Sequence, residues 1–195
     1  MLRELRTSAT LFFVFMLVTG LGYPMLVLGI GQNLFPKQAN GSLLTASGKI
    51  VGSTLIGQSF SGEKYFHPRP SAAGNGYDAT NSSGSNLAPT SSDLMKAVAD
   101  RVTELKKTGN PSPIPVDLVT TSASGLDPHI SVAAARFQSP RIIMTRHLNA
   151  AQIEDLISQH TESRTLGFLG ENRVNVLELN LALDHLADQP PSSIP

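Results

Sequence analysis

The sequence has no cysteine and no tryptophan among its 195 residues, and its 15 basic and 15 acidic residues give a formal net charge of zero. The lack of cysteine excludes disulfides, thiol catalysis and thiolate metal sites. Because the basic residues do not cluster, the chain has no electrostatic footprint for nucleic-acid binding. The compartment stays open, since extracytoplasmic bacterial domains and cytosolic domains can both lack cysteine.

Charged residues are also absent between Arg6 and Lys37, and residues 9–30 form one apolar run there. At ~1.5 Å per residue, this run gives a helix of roughly 33 Å, which crosses the ~30 Å hydrocarbon core of a bilayer. A cleaved secretion signal is the alternative, because Arg3 and Arg6 supply a basic leading segment. The apolar region of such a signal usually spans only about 7–15 residues. We therefore predict a retained transmembrane helix over residues 9–30.

Basic residues lie closer to the N-terminal end of this run than to its C-terminal end. Arg3 and Arg6 flank it directly, whereas Lys37 and Lys49 follow at a distance. The positive-inside rule then favours a cytoplasmic N-terminus and an external C-terminal domain. The predicted fold is one N-terminal transmembrane helix plus a single mixed α/β extracytoplasmic domain. Its predicted parts are a short cytoplasmic N-terminus (1–8), the transmembrane helix (9–30), a connector (31–48), a soluble α/β domain (49–188) and a flexible tail (189–195).

Small residues and a proline interrupt the apolar run. Gly20, Gly22 and Pro24 predict a kink and a surface on which a neighbouring helix packs closely, because small residues let backbones approach in lipid. A passive anchor that tolerates the proline is an equal alternative. A lone helix cannot surround a pore, so permeation would belong to partner chains.

The predicted domain begins with a strand or hairpin over residues 49–58, where β-branched residues are flanked by glycines. Residues 61–92 are rich in Gly, Ser, Asn and Pro and lack apolar periodicity. Ordered domains rarely hold so long an irregular stretch unless it binds something or is mobile. This stretch is therefore the first candidate functional surface, and a second extended segment is predicted over residues 116–120.

Helices are predicted from capping residues and apolar spacing. The first follows Thr90 or Ser91, and Lys106-Lys107 favours its C-terminus. Its predicted apolar stripe comprises Leu94, Val98, Val102 and Leu105.

Three further helices are predicted in the second half of the domain. One would be capped by Asp127, with Pro128 at its first position, and would run to about Gln138 before Pro140 opens another segment. The other two show the capping-box spacing, in which the cap is followed three residues later by Gln or Glu: Asn149 with Gln152, and Asn175 with Glu178.

Patterns typical of reactive sites are weak. Gly41 and Gly48-Lys49 depart from the phosphate loop, which needs four residues between its glycines and Ser or Thr after the Lys. Ser122 and Ser124 lie near Asp127 and His129, which would suit a membrane-tethered hydrolase, but there is no Gly-x-Ser-x-Gly elbow. No catalytic residue is assigned.

Binding motifs are equally sparse. The five histidines show no ligand spacing, so no metal site is predicted. In His67-Pro68-Arg69-Pro70, the prolines hold Arg69 ready to grip a carboxylate, a carbonyl cluster or a partner, and a structural ion pair inside the domain is an equal alternative. The segment Ser83-Gly84-Ser85-Asn86 fits either an anion-binding nest or a plain turn.

Several strings follow one another along the chain: GSTLIGQ (52–58), YFHPRPSA (65–72), YDA (77–79), SGSNL (83–87), PVDLVT (115–120), SASGLDPHIS (122–131), GE (170–171) and NVL (175–177). In this order they resemble the KdpC family, which belongs to the bacterial high-affinity potassium-transporting ATPase. The resemblance covers the whole chain, including the single N-terminal span.

The resemblance implies a non-catalytic accessory subunit of a membrane complex. Its partners would be a potassium-channel-like subunit, a P-type ATPase subunit, a very small hydrophobic subunit and the lipid bilayer of the bacterial inner membrane. The family role is assembly and a catalytic-chaperone effect on ATP use. ATP and potassium would serve the complex, with no cofactor of this chain's own.

The resemblance also implies a nucleotide-binding signature loop at the segment Ser83-Gly84-Ser85-Asn86. With an external domain, direct nucleotide contact is impossible, and we expect the domain to act from outside, near the potassium entrance. The expected partner-facing residues are Arg69, Tyr77, Asp78, Asn86, Asp127 and His129.

Two other functional classes stay open. One is an independent membrane-tethered extracytoplasmic ligand-binding or sensor module that takes a small ligand in residues 61–92. The other is a tethered hydrolase that uses Ser122 or Ser124 with His129.

Overall fold

The computed structural model describes residues 1–46 and 48–188, except for the side chains of residues 187 and 188. The predicted tail 189–195 lies outside the described residues. Contacts between residues divide the chain into two compact units, Met1–Leu43 and a second unit that begins at Leu44.

The first unit is dominated by one apolar helix over Leu2–Leu34, long and apolar enough to cross a membrane. It comprises α1 (Leu2–Leu17), a π-helical turn (Val18–Gly22) and α2 (Tyr23–Leu34), and the short α3 (Pro36–Ala39) follows it. The helix extends beyond the predicted membrane span 9–30 at both ends, so residues 2–8 and the start of the connector are also helical. The physical reason is that polar residues near the ends of a span, such as Glu4 in the first turn, still favour helix.

The predicted irregularity near Pro24 takes the form of a π-turn. The Tyr23 N–H donates to the Val18 carbonyl, five residues back, and not four as in an α-helix. Pro24 has no N–H to donate to the preceding turn, and a π-turn is one way for a helix to accommodate this loss.

The second unit combines four longer helices with two small sheets. The strands are β1 (Leu43–Ala46), β2 (Lys49–Ser53), β3 (His129–Ser131), β4 (Thr161–Glu162) and β5 (Arg173–Asn175). The helices are α4 (Ser92–Lys106), a 3-10 turn (Val116–Leu118), α5 (Val132–Arg146), α6 (Ala150–Gln159) and α7 (Val176–Asp188). Strands β1 and β2 pair with each other, so of the strand or hairpin predicted over residues 49–58 only Lys49–Ser53 is a strand, and its partner β1 lies in the predicted connector. The antiparallel three-stranded sheet has the order β3-β5-β4, with Ile130 and Thr161 both opposite Val174.

The hydrophobic core lies between this sheet and helices α5, α6 and α7. Its most deeply buried large side chains are Phe66, Ile130, Ile142, Ile153, Ile157, Val174, Leu179 and Leu183. All but one of these come from the region after residue 128. Phe66 is the exception, because it comes from the long irregular segment between β2 and α4.

Two buried side-chain amides hold that irregular segment on the core. Asn180 Oδ1 accepts the Phe66 N–H at 2.8 Å, and Asn180 Nδ2 donates to the Phe66 carbonyl at 2.9 Å. Gln138 does the same for His67, at 2.7 Å and 3.0 Å. Each amide thus satisfies a buried donor and acceptor that a neighbouring strand would otherwise pair.

Three predicted elements are wrong in detail. Asp127 does not cap a helix. It accepts the His129 N–H at 3.0 Å, β3 follows, and α5 begins only at Val132, where Ser131 Oγ accepts the Ala134 N–H. The helix does not end at Gln138 but continues through Pro140 to Arg146.

The predicted extended segment 116–120 begins instead as a 3-10 turn. Asp117 in this turn accepts both the Ser131 N–H at 2.7 Å and the Ser131 hydroxyl at 3.1 Å. A contact with a strand that lies further along the chain therefore outweighs the local β propensity.

The other caps are confirmed. Asn149 and Gln152 form the reciprocal capping box of α6. Asn175 Oδ1 accepts the N–H groups of Leu177 and Glu178 at the start of α7. Helix α4 also forms as predicted, with Ser91 at its N-cap position but without a cap hydrogen bond from its side chain.

Candidate functional site

Strings that carry the family resemblance meet in space. We call residues 52–58, 65–72, 77–87 and 122–131 the signature cluster. Three of these segments each donate a hydrogen bond to a backbone carbonyl of the fourth: Gly57 N–H to Leu126 (2.8 Å), Ser71 Oγ to Gly125 (2.6 Å) and Ser83 N–H to Ser124 (3.0 Å). Segments far apart in sequence thus form one surface.

Arg69 lies at the centre of the signature cluster. Its Nη1 donates to Asp127 Oδ2 at 3.1 Å, and its Nη2 donates to the Thr121 carbonyl at 3.3 Å. The two charged side chains are 24% and 28% exposed, so the pair is half-buried. The ion pair that the sequence offered as an alternative is therefore present. The use of Arg69 to grip a partner stays a prediction.

Asp127 joins this pair to His129. Its Oδ1 accepts the His129 N–H at 3.0 Å and lies 3.5 Å from His129 Nδ1. Burial acts to raise the pKa of Asp127, but hydrogen bonds from His129 and Arg69 outweigh it and lower that pKa below its ordinary value. On the other side of the ring, His129 Nε2 lies 3.8 Å from Glu162 Oε1.

Tyr77 is held in the left-handed backbone region, with φ of 58°. Its N–H donates to Ser71 Oγ at 2.8 Å, and its hydroxyl donates to the Arg69 carbonyl. Burial raises the pKa of the Tyr77 phenol, so the hydroxyl keeps its proton and acts as a donor. A bulky residue adopts positive φ only where its surroundings fix it, and here two hydrogen bonds do so.

Glycine is required where the segments touch. A Cβ on Gly57 would lie 2.6 Å from the Asp127 carbonyl oxygen and 2.8 Å from Tyr77 Cε1. A Cβ on Gly84 would lie 2.8 Å from the Ala123 carbonyl oxygen. These close backbone approaches give both glycines a packing role.

The two remaining predicted residues, Asp78 and Asn86, are not part of the Arg69–Asp127–His129 contacts. Asp78 closes a local turn, since its Oδ1 accepts the Thr80 N–H at 2.9 Å and the Thr80 hydroxyl at 2.7 Å. Asn86 is exposed and has φ of 52°. The structure therefore brings Arg69, Tyr77, Asp127 and His129 together, whereas Asp78 bonds within its own turn and Asn86 is exposed.

Hydrolase geometry does not form around Ser124. Its hydroxyl accepts the Leu126 N–H at 3.1 Å, while both ring nitrogens of His129 face carboxylates. Ser122 is only 7% exposed. Within residues 1–46 and 48–188, no group of three or more His, Asp or Glu side chains is placed to hold a metal ion.

Sequence reasoning missed several residues that shape this site. Glu162 faces His129 from β4, and Asn180 and Gln138 hold the backbone of Phe66 and His67, which precede Arg69 in the same segment. A polar residue at a buried position of an apolar helix, as Asn180 is in α7, is the one signal that was available. Leu55 and Ile56 line a shallow depression of about 520 Å³ beside Arg69 and Asp127.

The whole chain is similar in sequence to known proteins of one family. A family model described as KdpC, the K+-transporting ATPase c chain, matches residues 5–185. The chain is 54% identical over 189 residues to the potassium-transporting ATPase KdpC subunit of Mycobacterium tuberculosis, which covers 95% of this chain and 100% of that protein. It is 54% identical over 186 residues to the Rhodospirillum rubrum KdpC subunit, covering 94% and 96%. It is 50% identical over 190 residues to the Koribacter versatilis KdpC subunit, covering 97% and 98%. The chain therefore belongs to the KdpC family of potassium-transporting ATPase subunits.

Proposed function

We propose that this chain is a non-catalytic accessory subunit that assembles and stabilises an ATP-driven potassium uptake complex and promotes ATP use by its ATPase subunit. The observation that carries the proposal is that segments carrying the family strings meet in one surface, where hydrogen bonds join them to one another. Arg69, Asp127, His129 and Ser124 all engage neighbouring groups of the same chain. Such a surface suits docking, since its shape is fixed before a partner arrives.

The proposed location is the bacterial inner membrane, with residues 9–30 of the apolar helix in the bilayer. Support comes from the length and composition of Leu2–Leu34. The basic residues Arg3 and Arg6 favour a cytoplasmic N-terminus, and the mixed α/β domain then lies outside.

From outside, the domain would act on ATP use only through membrane subunits. We place its action near the potassium entrance of the channel-like subunit, with ATP and potassium handled by the partners. Leu55 is 62% exposed and Ile56 38% exposed, directly beside the Arg69–Asp127 pair. Exposed apolar side chains next to a fixed ion pair are typical of protein interfaces. In the nucleotide loop implied by the family, the Ser83 N–H already donates to the Ser124 carbonyl, as does the hydroxyl of the neighbouring Ser82. Hydrogen bonds within the chain therefore already use part of the loop.

The test is co-purification of the tagged full chain from its native membrane at low potassium, with potassium-stimulated ATPase activity measured on the eluate. We expect stoichiometric large subunits and activity that disappears when this chain is omitted. Leu55→Ser should weaken retention, whereas Met95→Ser should not, although Met95 is exposed to a similar degree, at 67%. A lone chain without ATPase subunits would overturn the proposal.

Because the sequence has no cysteine, a single introduced cysteine can report on which side of the membrane it lies. The orientation of the chain can therefore be measured directly. Val116, which is 70% exposed, can be replaced by Cys and labelled with a membrane-impermeant maleimide on intact spheroplasts. Labelling is expected for Val116→Cys and not for Thr7→Cys. The reverse pattern would place the domain inside and restore direct ATP contact as the mechanism.

One observation favours the independent ligand-binding module as the second candidate. A cavity of about 560 Å³ lies between α4 and α5 and includes His67, Phe137 and Arg141 in its lining. Largely apolar cavities with a few polar groups are the usual form of small-molecule sites. If the chain purifies alone, ligand screens that monitor its thermal unfolding would follow.

A further inference from the structure

The cavity between α4 and α5, here called the α4–α5 cavity, reaches the hydrophobic core of the domain. Its volume of about 560 Å³ lies within the range of small-molecule sites. Leu118 and Phe137 line it and also belong to the core cluster. Four prolines add to its apolar wall: Pro68, Pro70, Pro111 and Pro140. Because a proline ring fixes its own φ, this wall keeps its shape before a ligand arrives.

The side-chain amides that line the α4–α5 cavity already bond within the chain. Gln138 Oε1 accepts the His67 N–H at 2.7 Å, and Gln138 Nε2 donates to the His67 carbonyl at 3.0 Å. Asn110 Nδ2 donates to the Phe137 carbonyl at 2.7 Å, and Asn110 Oδ1 accepts the Ser112 N–H at 3.0 Å. Both amides therefore have little hydrogen-bonding capacity left for a ligand.

The lining also contains two acidic side chains, and each has a basic partner. Glu63 Oε2 lies 3.6 Å from Arg141 Nη1. Glu104 Oε2 accepts from Lys107 Nζ at 2.6 Å. A second arginine in the lining, Arg101, pairs with no carboxylate among the residues that the structure describes. The lining therefore carries one positive charge without a counter-charge.

Arg101 is half-buried and held in place on one side. Its Nη1 donates to the Val119 carbonyl at 2.9 Å. The rest of its guanidinium offers further N–H donors, in the planar arrangement that fits a carboxylate. Burial and the nearby Arg141 lower the pKa of His67, so this imidazole is uncharged at neutral pH and adds no second cation.

We propose that the α4–α5 cavity binds a small organic monocarboxylate with an apolar body. The apolar wall receives the body, and Arg101 pairs with the carboxylate. This assignment accounts for a half-buried arginine that its own chain leaves without a counter-charge beside an apolar space. A polyanion such as a nucleotide does not fit, because the lining has one uncompensated charge and Glu63 and Glu104 repel further negative groups. The site is present whether the chain works within a complex or alone.

The first test is calorimetric titration of the full chain in lipid nanodiscs with 3-phenylpropionate and with octanoate, an aromatic and a straight-chain acid. The amide and the amine with the same phenylpropyl body are the matched probes, and empty nanodiscs correct for uptake by lipid. We expect at least one acid to saturate a single site, with the matched amide and amine bound about tenfold more weakly. Equal affinities for acid and amide, or no saturable binding of either acid, would overturn the proposal.

The second test removes the charge and the space separately. Arg101→Gln removes the charge, and Met144→Trp enlarges a lining side chain that is 76% exposed, so the core is left intact. Each variant should weaken binding of the acid by about tenfold. Arg136→Gln on α5 and Met95→Trp on α4 are the matched controls outside the cavity lining. In Arg101→Gln the acid should bind no better than its amide, which a general loss of structure does not predict, and unchanged preference for the acid would refute the role of Arg101.

The ligand site and the accessory role are tested by different measurements. Co-purification tests the accessory role, and calorimetry tests the cavity. A chain that co-purifies with ATPase subunits but binds neither acid removes only the inference about the cavity. A chain that binds one of the acids but purifies alone overturns the accessory role and keeps the ligand site.

Discussion

The two halves of the domain reach an ordered structure by different means. The region after residue 128 consists of helices and short strands whose buried residues follow regular spacing, as Ile153, Leu156 and Ile157 do in α6. The region between β2 and α4 has no helix or strand, yet Phe66 and Ala73 within it are fully buried. Burial in this fold therefore does not require regular structure, provided that side chains pair the buried backbone groups.

We call the region after residue 128 the regular half and the region between β2 and α4 the irregular half. Helices of the regular half supply hydrogen-bond partners for the buried backbone of the irregular half. Asn180 lies on α7 and Gln138 lies on α5, and each presents one amide to the backbone of the irregular segment. Three of the four segments of the signature cluster lie largely within this irregular segment. The candidate site is therefore positioned by helices that do not belong to it.

Asn180→Ala should remove one of the two amides by which the regular half supports the irregular half, and it has the largest expected effect. This change leaves the buried N–H and carbonyl of Phe66 without partners, and each costs ~1–3 kcal/mol. We expect the free energy of unfolding to fall by about 4 kcal/mol. Urea unfolding of the full chain in detergent, followed by circular dichroism, measures this loss.

Asn149→Ala is the matched control, because it removes an amide from an exposed cap in the regular half. Its expected cost is only ~1 kcal/mol. Hydrogen exchange at the Phe66 amide should accelerate in Asn180→Ala alone. Equal losses of stability in the two variants would contradict the special role assigned to the buried amide.

Gly57→Ala should have the next largest effect. The new Cβ would lie 2.6 Å from a backbone oxygen of Asp127, which cannot move without shifting the loop at 122–131. We expect a loss of about 2 kcal/mol in thermal or urea unfolding, as for other overpacked sites. In Gly62→Ala the nearest atom is 3.4 Å away, so an unchanged stability is expected there, and a similar loss in both variants would refute this explanation.

A histidine in the irregular half should also make the free energy of unfolding depend on pH. Burial and the nearby Arg141 lower the pKa of His67 below 6.5, so the unfolded chain takes up this proton before the folded chain does. The free energy of unfolding should therefore fall as pH decreases from 6.5 through the folded pKa.

His67→Gln should flatten this slope between neutral and mildly acidic pH, as measured by urea unfolding at a series of pH values. His185→Gln, at an exposed position of α7, controls for the loss of a histidine. A slope that flattens equally in both variants would remove His67 as its cause.

The smallest effect is expected in the regular half, at the exposed Arg136–Glu154 pair that joins α5 to α6. The side chains are 56% and 48% exposed, so solvent screens the pair and Arg136→Ala should cost no more than about 0.5 kcal/mol. A loss above that of Asn149→Ala would show that surface pairing, and not the core, secures this helix pair.

The sequence predicted the regular half better than the irregular half. The caps at Asn149 and Asn175 are local signals, and both were found. The misplaced cap at Asp127 fails for an instructive reason, because Asp-Pro fits a helix start and a turn before a strand equally well. Pro140 was expected to end a helix, yet the helix continues, with Phe137 and Ile142 buried on either side of the proline.

The sequence named Arg69, Asp127 and His129 as candidates but did not predict how they are arranged. The prolines around Arg69 indicated an ordered side chain, and the structure adds that Asp127 is its partner. Glu162 was not predicted, because nothing in its neighbourhood marks it as a residue that faces a histidine from another strand.

The apolar helix, the helix caps, the mixed composition of the domain and the family resemblance all follow from the sequence alone, since each depends on residues close together or on strings read in order. The contacts between distant segments follow only from the tertiary structure. Arg69 and Asp127 are 58 residues apart, and Phe66 and Asn180 are 114 apart. Local spacing cannot encode such contacts, because they exist only once packing of the core has brought the helices and the irregular segment together.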